Sequence, residues 1–181
     1  GIVRVKNRDG RFEFYTVEKN PRQIGESYKD ATKFSEGLAA IVKEKHAVSY
    51  IDRKGRTVLE LRKAGGEEVE AASAFSEGLA IFVNDKEECG YVNRKGEVVI
   101  KARYRACGAF SEGVAQVQSF EEVDGRQRPI IGFINAKGEV VIRLRSGVEY
   151  GLQSEGLVAY SDGNQEWGVM RLNGEKVVRA S

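Results

Sequence analysis

The phrase Phe-Ser-Glu-Gly occurs three times, at Phe34 to Gly37, Phe75 to Gly78 and Phe110 to Gly113, with a worn fourth copy at Gln153 to Gly156. A second punctuation keeps step with it: Asp52-Arg53-Lys54-Gly55, Asn93-Arg94-Lys95-Gly96, Asn135-Ala136-Lys137-Gly138 and Leu172-Asn173-Gly174 each precede a hydrophobic run. The second glycine follows the first by 18 residues in three copies and by 25 in the third. Self-similarity at 35 to 43 residues marks supersecondary units that bury their apolar faces only against one another. The chain must therefore fold as an array.

Aligning the copies by their glycines predicts the strands. After the first glycine come Leu38-Ala39-Ala40-Ile41-Val42, Leu79-Ala80-Ile81-Phe82-Val83, Val114-Ala115-Gln116-Val117-Gln118 and Leu157-Val158-Ala159-Tyr160-Ser161. The second and fourth places are always apolar, while the third and fifth drift to Gln116, Gln118 and Ser161. That period of two predicts a strand, A, with one dependable inner face. Strand B carries Tyr50-Ile51, Tyr91-Val92, Phe133-Ile134 and Val169-Met170. It ends in a turn where Asp or Asn caps the backbone and Gly supplies the positive φ of a type I turn with a G1 bulge. Strand C is Thr57-Val58-Leu59, Val98-Val99-Ile100, Val140-Val141-Ile142 and Lys176-Val177-Val178.

The connectors place Tyr28 and Ala31, Val69 and Ala72, or Tyr104 and Cys107 six and three residues before the next phenylalanine. Their three-residue spacing predicts a short helical or 3₁₀ turn. Upstream, Ile2 to Val5 and Phe12 to Phe14 flank Arg8-Asp9-Gly10-Arg11 as strands B and C, with strand A missing. The expected architecture is all-β: one array over 1–181, with a partial unit at 1–27 and units at about 28–68, 69–103, 104–146 and 147–181. Because the last unit ends at strand C, with no spare strand A to complete the first, an open stack of antiparallel three-stranded units is favoured over a closed propeller-like or barrel arrangement.

The order Phe-Ser-Glu-Gly-Leu-Ala, an aromatic-Ile-Asp-Arg-Lys-Gly turn, Val-Val-Ile and then Tyr-x-x-Ala-x-x-Phe resembles the bacterial WG-repeat family, also called KWG, from about Ile2 to Val178. The naming Trp-Gly dipeptide stands only at Trp167-Gly168, with Val48-Ser49, Cys89-Gly90 and Ile131-Gly132 elsewhere. The resemblance implies a β-rich repeat that binds other molecules and brings no catalytic constellation.

Charge excludes some partners. Lys and Arg number 29 against 27 Asp and Glu, a net charge of +2, and the signs alternate along the 181 residues, so the basic stripe of a nucleic-acid binder is missing. The apolar runs are too short to span a membrane. A soluble protein is expected, cytoplasmic or exported with its leader removed; Gly1 at the start leaves a removed leader or anchor open. Cys89 and Cys107, in different units, read as small buried hydrophobes. His46, the single histidine, reads as a solvated loop residue. Neither zinc, nucleophile nor phosphate-loop signatures occur, and Gly163, Gly168 and Gly174 are scattered turn glycines. No enzyme activity, cofactor or metal is expected.

The recurring Glu36, Glu77, Glu112 and Glu155 read as turn residues that pair with Lys54, Lys95 or Lys137 of a neighbouring hairpin. Phe34, Phe75 and Phe110 read as core, and Gln153 marks a weaker, capping layer. Departures from the repeat say more about binding. About seven extra residues fall between strands A and B of the third unit, where Glu121, Glu122, Asp124, Arg126 and Arg128 make a mixed-charge tip. A basic-aromatic string, Lys101-Ala102-Arg103-Tyr104-Arg105, with Arg143 and Arg145 one unit on, is the second candidate surface. A protein-interaction scaffold is the expected function. The alternative is a carbohydrate or cell-envelope polymer binder, for which Tyr104, Tyr150, Tyr160 and Trp167 would have to form an exposed platform.

Overall fold

The repeated phrase is a turn. In the computed structural model, which describes residues 1–43, 48–161 and 166–179, Glu36, Glu77, Glu112 and Glu155 have φ of 50°, 50°, 54° and 54°. Gly37, Gly78, Gly113 and Gly156 follow at 83°, 77°, 79° and 74°. Two successive residues at positive φ make the type I′ turn, whose twist matches that of the strands it joins. Ser35 and Leu38 close it by exchanging backbone hydrogen bonds of 2.8 and 2.9 Å, and Ser76 with Leu79 and Ser111 with Val114 do the same.

All described elements are strands, paired antiparallel, and the chain divides into two compact units, Gly1–Ala102 and Arg103–Ser181. The first begins with β1 (Ile2–Lys6), β2 (Phe12–Thr16) and β3 (Gln23–Tyr28), a three-stranded sheet. A four-stranded sheet follows: β4 (Asp30–Ala31), β5 (Leu38–Val42), β6 (Val48–Asp52) and β7 (Thr57–Leu61). Five strands form the next: β8 (Lys63–Ala64), β9 (Glu67–Ala72), β10 (Leu79–Asn84), β11 (Cys89–Asn93) and β12 (Val98–Tyr104). The second unit holds two four-stranded sheets. One is β13 (Ala106–Cys107), β14 (Val114–Val123), β15 (Arg126–Asn135) and β16 (Val140–Arg145); the other is β17 (Glu149–Ser154), β18 (Leu157–Ser161), β19 (Trp167–Arg171) and β20 (Lys176–Val178). Neighbours in each sheet are neighbours in sequence, so every sheet is an up-and-down meander.

Strands A, B and C lie where the glycine alignment puts them. The turn between B and C is the expected one: the Asp52 Oδ1 accepts from the amides of Lys54 and Arg56 at 2.9 and 3.0 Å, and Asn93 and Asn135 repeat the pattern. Gly55, Gly96 and Gly138 take φ of 78°, 81° and 82°, and the β6–β7 and β15–β16 ladders shift register near the first and last of them.

The connectors differ from expectation. They are strands, not helical turns, and they raise most sheets from three strands to four. The three-residue spacing comes from a β-bulge. Val69, Ala71 and Ala72 pair with Asn84, Val83 and Phe82, so Glu70 is an extra residue and Val69 and Ala72 return to one face. In the second sheet Lys29 donates to the Val42 carbonyl while Asp30 opposes the same Val42, and in the fourth Arg105 and Ala106 both meet Gln118.

A second correction concerns strand A. Its second and fourth places are buried in every copy, as the period requires, but the opposite face of β5 is buried too. Ala39 and Ile41 pack with Phe14, Ile24 and Ile51, whereas Leu38 and Ala40 pack with Tyr50, Phe75, Phe82 and Val92. A sheet covered on both faces is sandwiched between neighbours, and its small alanines set the close approach. Phe75 meets the Tyr50 ring at 4.7 Å, and the Tyr50 hydroxyl donates to the Ser73 carbonyl at 2.7 Å. Phe75 and Phe110 are fully buried and Phe34 half-buried, so their core assignment holds.

The turn glycines are not equivalent. A Cβ on Gly55 would lie 2.6 Å from the Gly25 nitrogen, whereas one on Gly96 would meet only the flexible Leu59 Cδ1 at 2.9 Å. Gly96→Ala is expected to cost about 1–2 kcal/mol for the left-handed backbone, and Gly55→Ala about 2–4 kcal/mol because a backbone must also shift. Equal midpoints in urea unfolding would show that β3 yields without cost.

Candidate functional site

The repeated glutamates lace neighbouring turns together. Both Glu36 carboxylate oxygens accept from the Gly78 amide at 3.2 Å, and Arg94 stands 3.5 Å from the same group. Glu112 makes the corresponding bridge two units later, accepting from the Glu155 and Gly156 amides at 2.7 and 3.0 Å. The partners are thus the backbone of the next turn and Arg94, rather than Lys54, Lys95 or Lys137. A carboxylate accepting two amides gains charge-assisted hydrogen bonds, which offset the left-handed conformation that aims it there. Gln153 in the worn copy works in the same joint, its Nε2 donating to the Ser111 carbonyl at 3.2 Å. These residues are spoken for by the fold.

The third-unit insertion is a hairpin extension. β14 and β15 have ten residues each, where β10 has six and β11 five. They pair in unbroken register out to Val123 opposite Arg126, and Asp124 and Gly125, at φ 52° and 69°, close a type I′ turn. Flanking support ends early: β13 pairs no further out than Gln118 and β16 no further than Ile131. From Ser119 and Ile130 outward the hairpin is a bare two-stranded ribbon. Alternation puts Glu121 opposite Arg128 and Val123 opposite Arg126 on one face, with Phe120 opposite Pro129 and Glu122 opposite Gln127 on the other. Glu121, Glu122, Asp124, Arg126 and Arg128 are all exposed, and Phe120 leaves 42% of its surface in solvent. Charge pattern and length made the tip legible; Phe120 as its apolar element was not singled out.

The second candidate set does not act as one surface. Tyr104 is buried, and Arg103 lies over its ring at 5.0 Å while donating to its hydroxyl and to the Gly138 carbonyl. Arg105 spends its amide on the connector bulge. Arg143 sits elsewhere, with Arg145 and Lys176 around a cavity that also takes in Tyr150, Tyr160 and Met170. The sequence pairs Arg143 with Arg145; Lys176 and the apolar lining join them only through strand pairing. Burial pushes the Tyr150 hydroxyl above its usual range, with the nearby Arg145 charge pulling the other way.

The proposed aromatic platform is likewise dispersed by burial: Tyr160 and Tyr104 are 2% and 5% exposed, and Trp167 alone stands open at 51%. At the dipeptide position a Cβ on Gly90 would collide with the Ile100 carbonyl and lie 2.6 Å from the Ala102 nitrogen, so the adjoining strand demands glycine there. Cys89 is buried as expected, and it and Cys107 are both disulfide-bonded, more than the small buried hydrophobes the sequence suggests. His46 and Gly163 lie outside the described residues. Among the described residues no group of His, Cys, Asp and Glu is arranged to hold a metal, and no helix is long and apolar enough to cross a membrane.

Residues 90–119 match the family model of the WG containing repeat, so the resemblance carried by the repeated phrases is borne out from β11 to β14. No curated protein matches the chain. Among solved structures, the WD40 beta propeller domain of Doa1 aligns with a TM-score of 0.51 at 14% identity, over 97% of this chain and 64% of that one. The chain thus spans under two-thirds of that domain. BamB from Moraxella catarrhalis aligns at 0.40 and 11% identity over 100% of this chain and 73% of its own, too distant to carry an argument. The all-β class stands, and of the two arrangements read from sequence it is the propeller-like alternative, not the open stack, that the comparison supports. The four-stranded meander, with its connector strand, is what a three-stranded reading lacked.

Glu112→Ala removes both acceptors from the next turn and is expected to lower stability by about 1–3 kcal/mol. Glu112→Gln, which keeps one oxygen without the charge, should fall between it and wild type in thermal unfolding. A melting point unchanged in both variants would show that the turn holds without its carboxylate clasp.

Proposed function

We propose that the chain is a non-enzymatic scaffold for protein–protein interaction, with the β14–β15 ribbon as its docking element. The observation that carries this reading is the ribbon itself. It is the one place among the described residues where a hairpin outgrows its siblings, loses flanking strands and displays an aromatic ring beside proline within a ring of mixed charge. An exposed anchor rimmed by charges of both signs fits partner recognition, since the apolar centre supplies affinity and the rim supplies register and selectivity.

Two further observations favour it. A polymer-binding platform needs flat, open rings in line, and burial of Tyr104 and Tyr160 leaves Trp167 by itself. Acid–base catalysis calls for a carboxyl raised toward neutrality. The carboxylates displaced here go the other way, Glu13 through Ser27, Asp52 through Arg56 and Glu67 through Lys86.

Deleting residues 120–123 and 126–129 joins Ser119 through Asp124-Gly125 to Ile130, which preserves both register and turn. Stability is expected to change by no more than about 0.5 kcal/mol, as for surface changes generally, while proteins captured from the source cell by the intact chain are lost. Retention of every partner by the trimmed chain would move the docking surface off this ribbon.

A further inference from the structure

The second unit holds a cavity of about 110 Å³ lined by β16, Val148 and the β17–β20 sheet. Its floor is apolar, from Val141, Ile142, Val148 and Met170, with the Tyr150 and Tyr160 rings as walls. Its rim is cationic: Arg143, Arg145 and Lys176 all border it, and no carboxylate does among the described residues. Lys176 Nζ stands 4.8 Å above the Tyr160 ring, and the Arg145 charge acts on the Tyr150 hydroxyl. Neither Arg143 nor Arg145 has a carboxylate partner among the described residues, whereas Arg171 nearby is matched to Glu175 at 3.2 Å. Three like charges around one opening repel one another, and an anion seated between them relieves that repulsion.

The other cavities lack this combination. The one lined by Ile2, Val3, Phe14 and Phe34 borders Arg4 and Lys33, but the Arg4 guanidinium already donates to the Ala31 carbonyl and lies 4.7 Å over Phe12, which leaves one cation at its edge instead of three. The one beside β8 and β12 carries Glu67 opposite its Lys101.

We propose that the cavity bordered by Arg143, Arg145 and Lys176 binds an oxyanion carried on a short apolar body, of the size of one aromatic ring or a branched alkyl group. Guanidinium groups take carboxylate or phosphate oxygens in paired hydrogen bonds, and the apolar floor takes the body. The site is independent of the β14–β15 ribbon, so the ribbon-deleted protein keeps it.

Met170 is the only methionine of the chain, and it lies in the floor, so its methyl group labelled with ¹³C gives one NMR signal that reports the cavity. Benzoate, phenyl phosphate and benzamide are titrated separately. The expected result is a saturable shift with benzoate, phenyl phosphate or both, at an affinity about tenfold or more above that of uncharged benzamide, the equivalent of one charge-assisted contact. Which anion binds more tightly tells a carboxylate ligand from a phosphate one. In the Arg143→Gln, Arg145→Gln protein, with an otherwise unchanged spectrum, the preference for the anion is expected to vanish. Equal binding of benzamide, no saturable shift with either anion, or an undiminished preference in the double variant overturns the proposal. The comparison among ligands on the unaltered protein stands even if the variant fails to fold.

Discussion

A glutamate held in the left-handed region is the constraint on which the rest depends. A two-residue turn with both φ values positive joins the connector to strand A at the twist the sheets need, and the Glu-Gly pairs supply it four times over. A non-glycine residue there is disfavoured by about 1–2 kcal/mol. That cost is met where Glu36 and Glu112 stretch from one turn to the amides of the next. At Glu36 and Glu112 the same residue thus makes the bend and ties one sheet to its neighbour.

Packing repeats the same economy. Small Ala39 and Ala40 let β5 bury both faces, and large rings then fill the space between sheets, as Tyr50 and Phe75 do in the first unit and Phe133 and Tyr150, 5.2 Å apart and edge to face, in the second. The bulge in β9 keeps Val69 and Ala72 on one side of a strand that would otherwise turn one of them outward.

Both proposed binding elements lie where this regularity stops. Among the described residues, the ribbon beyond Ser119 and Ile130 has no partner strand on either side, and the cavity at Arg143, Arg145 and Lys176 has no acid to balance it. The first was legible as a count of extra residues, because an insertion between strands A and B has nowhere to go but outward. The second was not. Arg143 and Lys176 are 33 positions apart in the chain, and only the stacking of β16 against the final sheet brings them to one opening.

The sequence by itself determined the local grammar: which residues are strands A, B and C, where the Asx-capped turns with their G1 bulges fall, and that the units are copies. These follow from short-range physics, the alternation of apolar side chains and the φ that Gly, Asn and Asp tolerate. Tertiary structure decided what short-range rules cannot see. The connectors became strands because the edge of β10 and its counterparts offered hydrogen bonds, and a bulge disguised their period as helical. The glutamates found backbone amides instead of lysines, because turns of adjacent sheets come closer than the charges do, and β5 lost its polar face because a second sheet covered it. The connector pairs with a strand 10 to 15 residues on, and the glutamates and β5 meet neighbours about forty residues away, brought near only by folding.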